Sequence, residues 1–183
     1  MQYRSYFHLF SGMAMLELGN LASALAPFNV SAVSVGLGAN SQESGLVVTL
    51  ELFFAAISSL YFGTSQFKGR NLGLIGSLMV MICYYLRSVA SDVNQITIIK
   101  AFSGLGCGML IASGHSILAS SQDPNRTYAV FTLFSSIMAA LLIYISSSWI
   151  EDGGHQNYFF NFIYIYLALT LFFFLSKQTG LKY

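Results

Sequence analysis

Apolar residues gather into six long stretches separated by short polar breaks. They run over residues 6–36, 45–65, 72–90, 96–120, 128–149 and 157–176. A helix needs ~20 mostly apolar residues to cross ~30 Å of hydrocarbon, and each stretch meets that length. The pattern predicts an all-α, polytopic membrane protein: a single domain over residues 1–183 with six transmembrane helices. Runs such as 167–175 (LALTLFFFL) do not alternate, which argues against the strands of a barrel. In lipid the remaining way to satisfy the backbone is the helix. The first stretch exceeds one crossing and contains Pro27, so a kink or a loosened second half is expected there. Residues 29–44, rich in small and polar side chains, leave that helix's end open.

Composition agrees with the pattern. Hydrophobic residues make up 55% of the 183 and charged residues 8%, where a soluble domain carries about 25% charged residues. The spans leave no length among these residues for a separate catalytic or DNA-binding unit. A net charge of +1 without a basic run argues against a nucleic-acid partner. The lipid bilayer is the expected surrounding, in the cell membrane. Cys83 and Cys107 both fall inside apolar spans and read as packing residues, not as a disulfide or a metal site. Ala24-Leu25-Ala26 fits a signal-peptide cleavage pattern, but Glu17 interrupts the apolar run before it and apolar residues resume after it. A retained helix is expected.

Charge sets the expected orientation. With a cytoplasmic N-terminus, Arg4, Lys68, Arg70, Arg126, Lys177 and Lys182 lie inside, against Arg87 near the outer surface. Glu43, Asp92, Glu151 and Asp152 fall on the outer side. Lys and Arg favour the cytoplasmic face, so both termini are expected there. Tyr3 and Tyr6 on one side, and Tyr84, Tyr85, Trp149 and Tyr158 on the other, suit interfacial belts.

An ionisable side chain within a span costs at least ~2.5–3.5 kcal/mol and is a functional candidate by default. Glu17 lies near mid-depth of the first span, ~16 Å of helix rise from its start. Asn20, three residues on, shares its face. A carboxyl taken out of water can take up a proton near neutral pH; the alternative is a hydrogen-bonded Glu tying helices together. Glu51 and Lys100 match in depth near the outer ends of their spans, which suits a structural ion pair, although Lys100 can also snorkel to the interface. His115, beside Gly114, fits a proton relay or an interfacial histidine, while His8 and His155 lie at membrane edges. Gly104 and Gly108, with Ala112 one turn on, form a small-residue stripe for close helix packing.

Four segments together resemble the first half of a major facilitator superfamily transporter. Leu37–Leu46 (LGANSQESGL) is similar to the outer loop entering that family's second helix. Gly63–Arg70 (GTSQFKGR) is similar to its cytoplasmic gating loop, with Gln66, Lys68, Gly69 and Arg70 at the motif positions. Ile99–Gly108 (IKAFSGLGCG) resembles a basic residue followed by the glycine ladder Gly104, Gly106 and Gly108, and Asp123–Arg126 (DPNR) resembles the linker that follows. Gln66 replaces the loop's aspartate, Lys100 replaces an arginine, and residues 132–146 lack the Gly-and-Pro motif of many drug antiporters.

The resemblance implies half of a major facilitator fold, two inverted three-helix repeats. It implies secondary transport of a small-molecule substrate by alternating access, with proton coupling. In that family the first helix lines the central cavity and an acidic residue there binds protons or cations, the role expected for Glu17. Because binding sites sit between halves, a second six-helix half is the expected partner, a copy of this chain or another subunit. The alternative is a non-transporting membrane subunit, or a remnant that binds a partner membrane protein. An enzyme is not expected, and neither is a cofactor or metal. The Gly-x-Ser-Gly of six-helix serine proteases is broken by Ile111 before Ser113-Gly114.

Overall fold

The computed structural model describes residues 2–65 and 69–175, and the side chains of 9–65 and 69–171. Within them the protein is all helix: α1 (Gln2–Ala24), α2 (Ala26–Leu37), α3 (Ser41–Thr64), α4 (Arg70–Val89), α5 (Val93–Ala119) and α6 (Pro124–Leu175). Helices α3 to α6 are each long and apolar enough to cross a membrane, and α1 and α2 taken together, with a bend between them, are long and apolar enough as well.

Chain chemistry dictates where the helices break. Pro27 has no N–H to give and its ring clashes with the carbonyl one turn back, so a straight helix cannot continue through it. The chain pivots at Leu25 (φ −106°, ψ 20°) and restarts with Pro27 in the first turn of α2, where the missing donor costs nothing. The two arms meet at a 53° bend. Gly38, at φ 67°, ends α2. Asn40 then opens α3 with a reciprocal cap: its Oδ1 accepts from the N–H groups of Gln42 (3.0 Å) and Glu43 (2.9 Å), and Glu43 Oε2 accepts from Asn40 N–H (3.0 Å). Glu43 therefore sits in the first turn of a helix that starts four residues before the expected span, not in a loop. Asp92 caps α5 by accepting from Asn94 N–H at 2.7 Å, and Asp123 accepts from Arg126 N–H at 3.1 Å as Pro124 begins α6.

A straight helix of 52 residues would run ~78 Å, more than twice the hydrocarbon thickness. α6 instead breaks at Gly153 and Gly154, the latter at φ 61°, ψ −150°. Trp149 and Phe162 would lie ~20 Å apart along one helix, yet their ring centroids are 5.6 Å apart. Asn157 Nδ2 donates to the Trp149 carbonyl at 3.3 Å. The chain reverses here, so the expected spans 128–149 and 157–176 fall one on each arm of α6.

α5 is the central post. Gly104 and Gly108 face α3 so closely that a Cβ on Gly108 would stand 2.6 Å from Ser59 N, and one on Gly104 3.0 Å from Phe54 Cβ. Gly106 turns to α4, where its Cβ would meet Val80 Cγ2 at 2.7 Å. Gly114 turns to α1, against Leu16 and the Gly12 carbonyl. Ser58 Oγ donates to the Leu105 carbonyl across the α3–α5 seam at 2.7 Å. α1 is enclosed by these neighbours: every residue from Ser11 to Gly19 is buried. Exposed apolar side chains such as Phe53, Leu60, Leu78, Ile98, Leu133 and Leu141 cover the outside, as lipid contact requires.

Candidate functional site: a buried charge cluster and an unpartnered carboxyl

Glu51 stands on the stripe of α3 that also buries Val47, Val48, Ala55 and Ser58. Lys100 shares the buried side of α5 with Ile96, Ser103, Gly104 and Cys107. Arg87 follows Val80 and Tyr84 at the four- and three-residue spacing of one face of α4. Helical periodicity thus drives three charges into one place, together with Asn29 of α2. All four side chains are at most 1% exposed.

The contacts are specific. Arg87 Nη2 donates to Glu51 Oε1. Lys100 Nζ donates to Glu51 Oε2 at 2.7 Å and to Asn29 Oδ1 at 3.0 Å. The Arg87 guanidinium lies 4.5 Å from the Tyr84 ring centroid and 5.6 Å from that of Phe159, and Lys100 Nζ lies 5.7 Å from the latter. Two cations therefore share one carboxylate, and aromatic faces meet the rest of their charge. Desolvating ions is expensive, and only such dense pairing makes it tolerable in a bundle core. The cluster joins α2, α3, α4 and α5 near the mouth formed by residues 38–40, 90–92 and 153–154. At that mouth His155 Nε2 pairs with the Ala90 carbonyl at 3.0 Å, and the His155 ring packs against Gly36.

Arg87 corrects the sequence reading, which set it in an outer loop near the surface. Two residues from the end of α4, it is fully buried because its long side chain turns back along the Val80–Tyr84 face toward Glu51. That spacing was the available signal. Lys100 does not snorkel outward; its nitrogen points at Glu51. Asn29 also went unnoticed; a polar residue two places past Pro27, inside an apolar run, was its only mark.

Glu17 has the opposite surroundings. It is fully buried, and neither carboxylate oxygen has a hydrogen-bond partner. The polar group facing it is the Ser135 hydroxyl on the first arm of α6. One residue on, Tyr166 Oη donates to the Leu18 carbonyl at 2.6 Å, clamping the second arm of α6 to this part of α1. Asn20 is half-buried and is not hydrogen-bonded to Glu17. No ion pair among the described residues joins Glu17 to the charge cluster.

At the other mouth, His115 Nδ1 and Tyr128 Oη are 2.9 Å apart, linking the end of α5 to the start of α6. Of the expected gating loop, Gln66 and Lys68 lie outside the described residues, as do Lys177 and Lys182 and the side chains of Tyr3, Arg4, Tyr6 and His8. Gly69 holds φ 92°, ψ −159°, a conformation that favours glycine, immediately before Arg70 opens α4. Among the described residues no group of three His, Cys, Asp or Glu side chains is arranged to hold a metal ion.

Several curated proteins are similar to this chain. Multidrug resistance protein MdtG of Salmonella arizonae is 29% identical over 163 residues, covering 84% of this chain and 40% of that protein. The protein of the same name from Citrobacter koseri is 28% identical over the same extent, and that from Salmonella newport 29%. The chain is related to the major facilitator transporters. The chain spans about 40% of the length of the curated relatives it matches. No family model matches it. With several helices long and apolar enough to cross a membrane, the chain is a multi-pass membrane protein similar to these multidrug resistance proteins.

Proposed function

We propose that this chain forms the N-terminal six-helix half of a major facilitator secondary transporter in the cell membrane, moving a small solute by alternating access. The two arms of α6 are the fifth and sixth membrane passages in this reading. The passages form two inverted three-helix repeats, α1 to α4 and α5 to α6, with both chain ends cytoplasmic. Arg70 and Arg126 stand at the mouth assigned to the cytoplasm, and Glu43, Asp92, Glu151 and Asp152 at the opposite one. Lys and Arg prefer the cytoplasmic face.

The observation that carries the proposal is the match of 163 residues to multidrug resistance proteins of which they make up 40%. A second half completes the machine, supplied by another copy, another subunit or further chain. The relatives' name makes drug-like organic molecules the first solutes to test. Glu17 is the proposed proton-coupling group, because among the described residues it is the one fully buried carboxyl without a cationic partner.

In vesicles holding the assembled transporter, Glu17→Gln is expected to abolish proton-linked uptake while leaving assembly unchanged. Coupling that survives the substitution removes Glu17 from the role. Crosslinking in native membrane is expected to trap the chain against its second half; a persistent lone chain that still transports overturns the two-half arrangement.

A further inference from the structure

α2 is attached to the bundle differently from its neighbours. At the depth of the charge cluster, α3, α4 and α5 are tied by full charges: Glu51, Arg87 and Lys100. α2 contributes only a neutral amide. Asn29 Oδ1 accepts from Lys100 Nζ at 3.0 Å, while its Nδ2 donates at 3.2 Å to the carbonyl of Leu25, the residue at which α1 and α2 bend apart. Among the described residues, this contact with Lys100 is the one side-chain hydrogen bond from α2 to another helix. The rest of its seating is apolar, through Ala32 and Val33, with Gly36 against His155. On the hinge side, Pro27 removes the backbone N–H that would tie α2 to α1.

We propose that Asn29 is a latch. Its bond to Lys100 holds α2 shut, and its release lets α2 pivot about Leu25 and open the mouth bounded by residues 38–40, 90–92 and 153–154. The charge balance explains why this corner yields first. Glu51 neutralises one of two buried cations, so the surplus positive charge rests partly on the Asn29 carbonyl dipole. An ion–dipole contact is weaker than the ion pairs behind it, so α2 can leave while α3, α4 and α5 stay knotted. A carboxylate in place of the amide would balance the cluster and hold Lys100 by an ion pair, which outweighs the loss of the neutral Nδ2 bond to the Leu25 carbonyl. The latch requires that the chain sit folded in a bilayer, not that it transport anything.

The test is thiol labelling in lipid vesicles with a water-soluble maleimide. Ala32→Cys places the probe on the buried face of α2, and the buried native thiols Cys83 and Cys107 report on the rest of the bundle. A hydrogen bond to a charged group corresponds to about 10- to 100-fold in an opening equilibrium. Asn29→Leu is expected to speed labelling at position 32 by about that factor and leave Cys83 and Cys107 protected, whereas Asn29→Asp is expected to slow it below the parent. An unchanged rate at position 32 in Asn29→Leu overturns the latch. Should Asn29→Leu expose all three thiols, Asn29→Asp decides: slower labelling at position 32 upholds the latch, and unchanged or faster labelling overturns it. Loss of transport in any of these variants leaves the outcome standing, because the rates are read without a solute.

Discussion

Glu51 and Glu17 are both carboxyls buried in the same bundle, and they are accommodated in opposite ways. Glu51 faces two cations from two other helices, and its oxygens are both engaged. Glu17 has the Ser135 hydroxyl as its polar neighbour, and no cation pairs with its oxygens among the described residues. The first arrangement is an anchor, since removing Glu51 strands two buried cations at once. The second has no cation to strand. Burial alone therefore does not say how a carboxyl is accommodated; the company it keeps does.

Removing the anchor should produce the largest effect. Glu51→Ala leaves Arg87 and Lys100 as uncompensated buried cations, for an expected loss of about 3–5 kcal/mol. It should appear as early exposure of Cys83 and Cys107 on heating in detergent. A variant as heat-resistant as the parent would break the comparison outright. Next in size is Gly108→Val, which drives a side chain into Ala55 and Ser58 and should cost about 1–3 kcal/mol by overpacking. This separates the α3–α5 seam from the charges that share it, because the ion pairs remain intact at the start. Tyr166→Phe removes the donor to the Leu18 carbonyl and should cost about 1 kcal/mol in the same assay. Smallest of all, Glu17→Gln should cost less than about 1 kcal/mol of thermal resistance, since no ion pair is lost. A large destabilisation there would make Glu17 a second anchor and erase the distinction.

Apolar periodicity made the helices and their breaks legible. Pro27 marked the bend and the polar interval after residue 150 marked the reversal, because each acts locally on the backbone. The glycines of α5 were readable as a packing device, though not which neighbour each one meets. Gly104 and Gly106 face different helices because two residues on a helix point nearly opposite ways. The Glu51–Lys100 contact could be inferred from matching depth. Arg87 could not, because counting charges toward the ends of spans treats a long side chain as if it stayed beside its own backbone. Asn29 carried no charge to notice, and its place in the cluster depends on a bend whose direction the sequence does not specify. For Glu17 the sequence revealed depth, while the lack of a partner is a property of all the surrounding helices at once.

The enclosure of α1 has a bearing on how the protein is made. Synthesis runs from the N-terminus, so α1 enters the membrane before any helix that later surrounds it. Gly12 and Gly19 meet α5, Met15 meets Gly73 of α4, and Glu17 meets Ser135 of α6, all translated afterwards. Residues 11–19, all buried in the finished protein, are thus made before every helix that shelters them, and Glu17 has no Ser135 beside it until the first arm of α6 is made. Biogenesis, as much as activity, limits how polar that first helix can be.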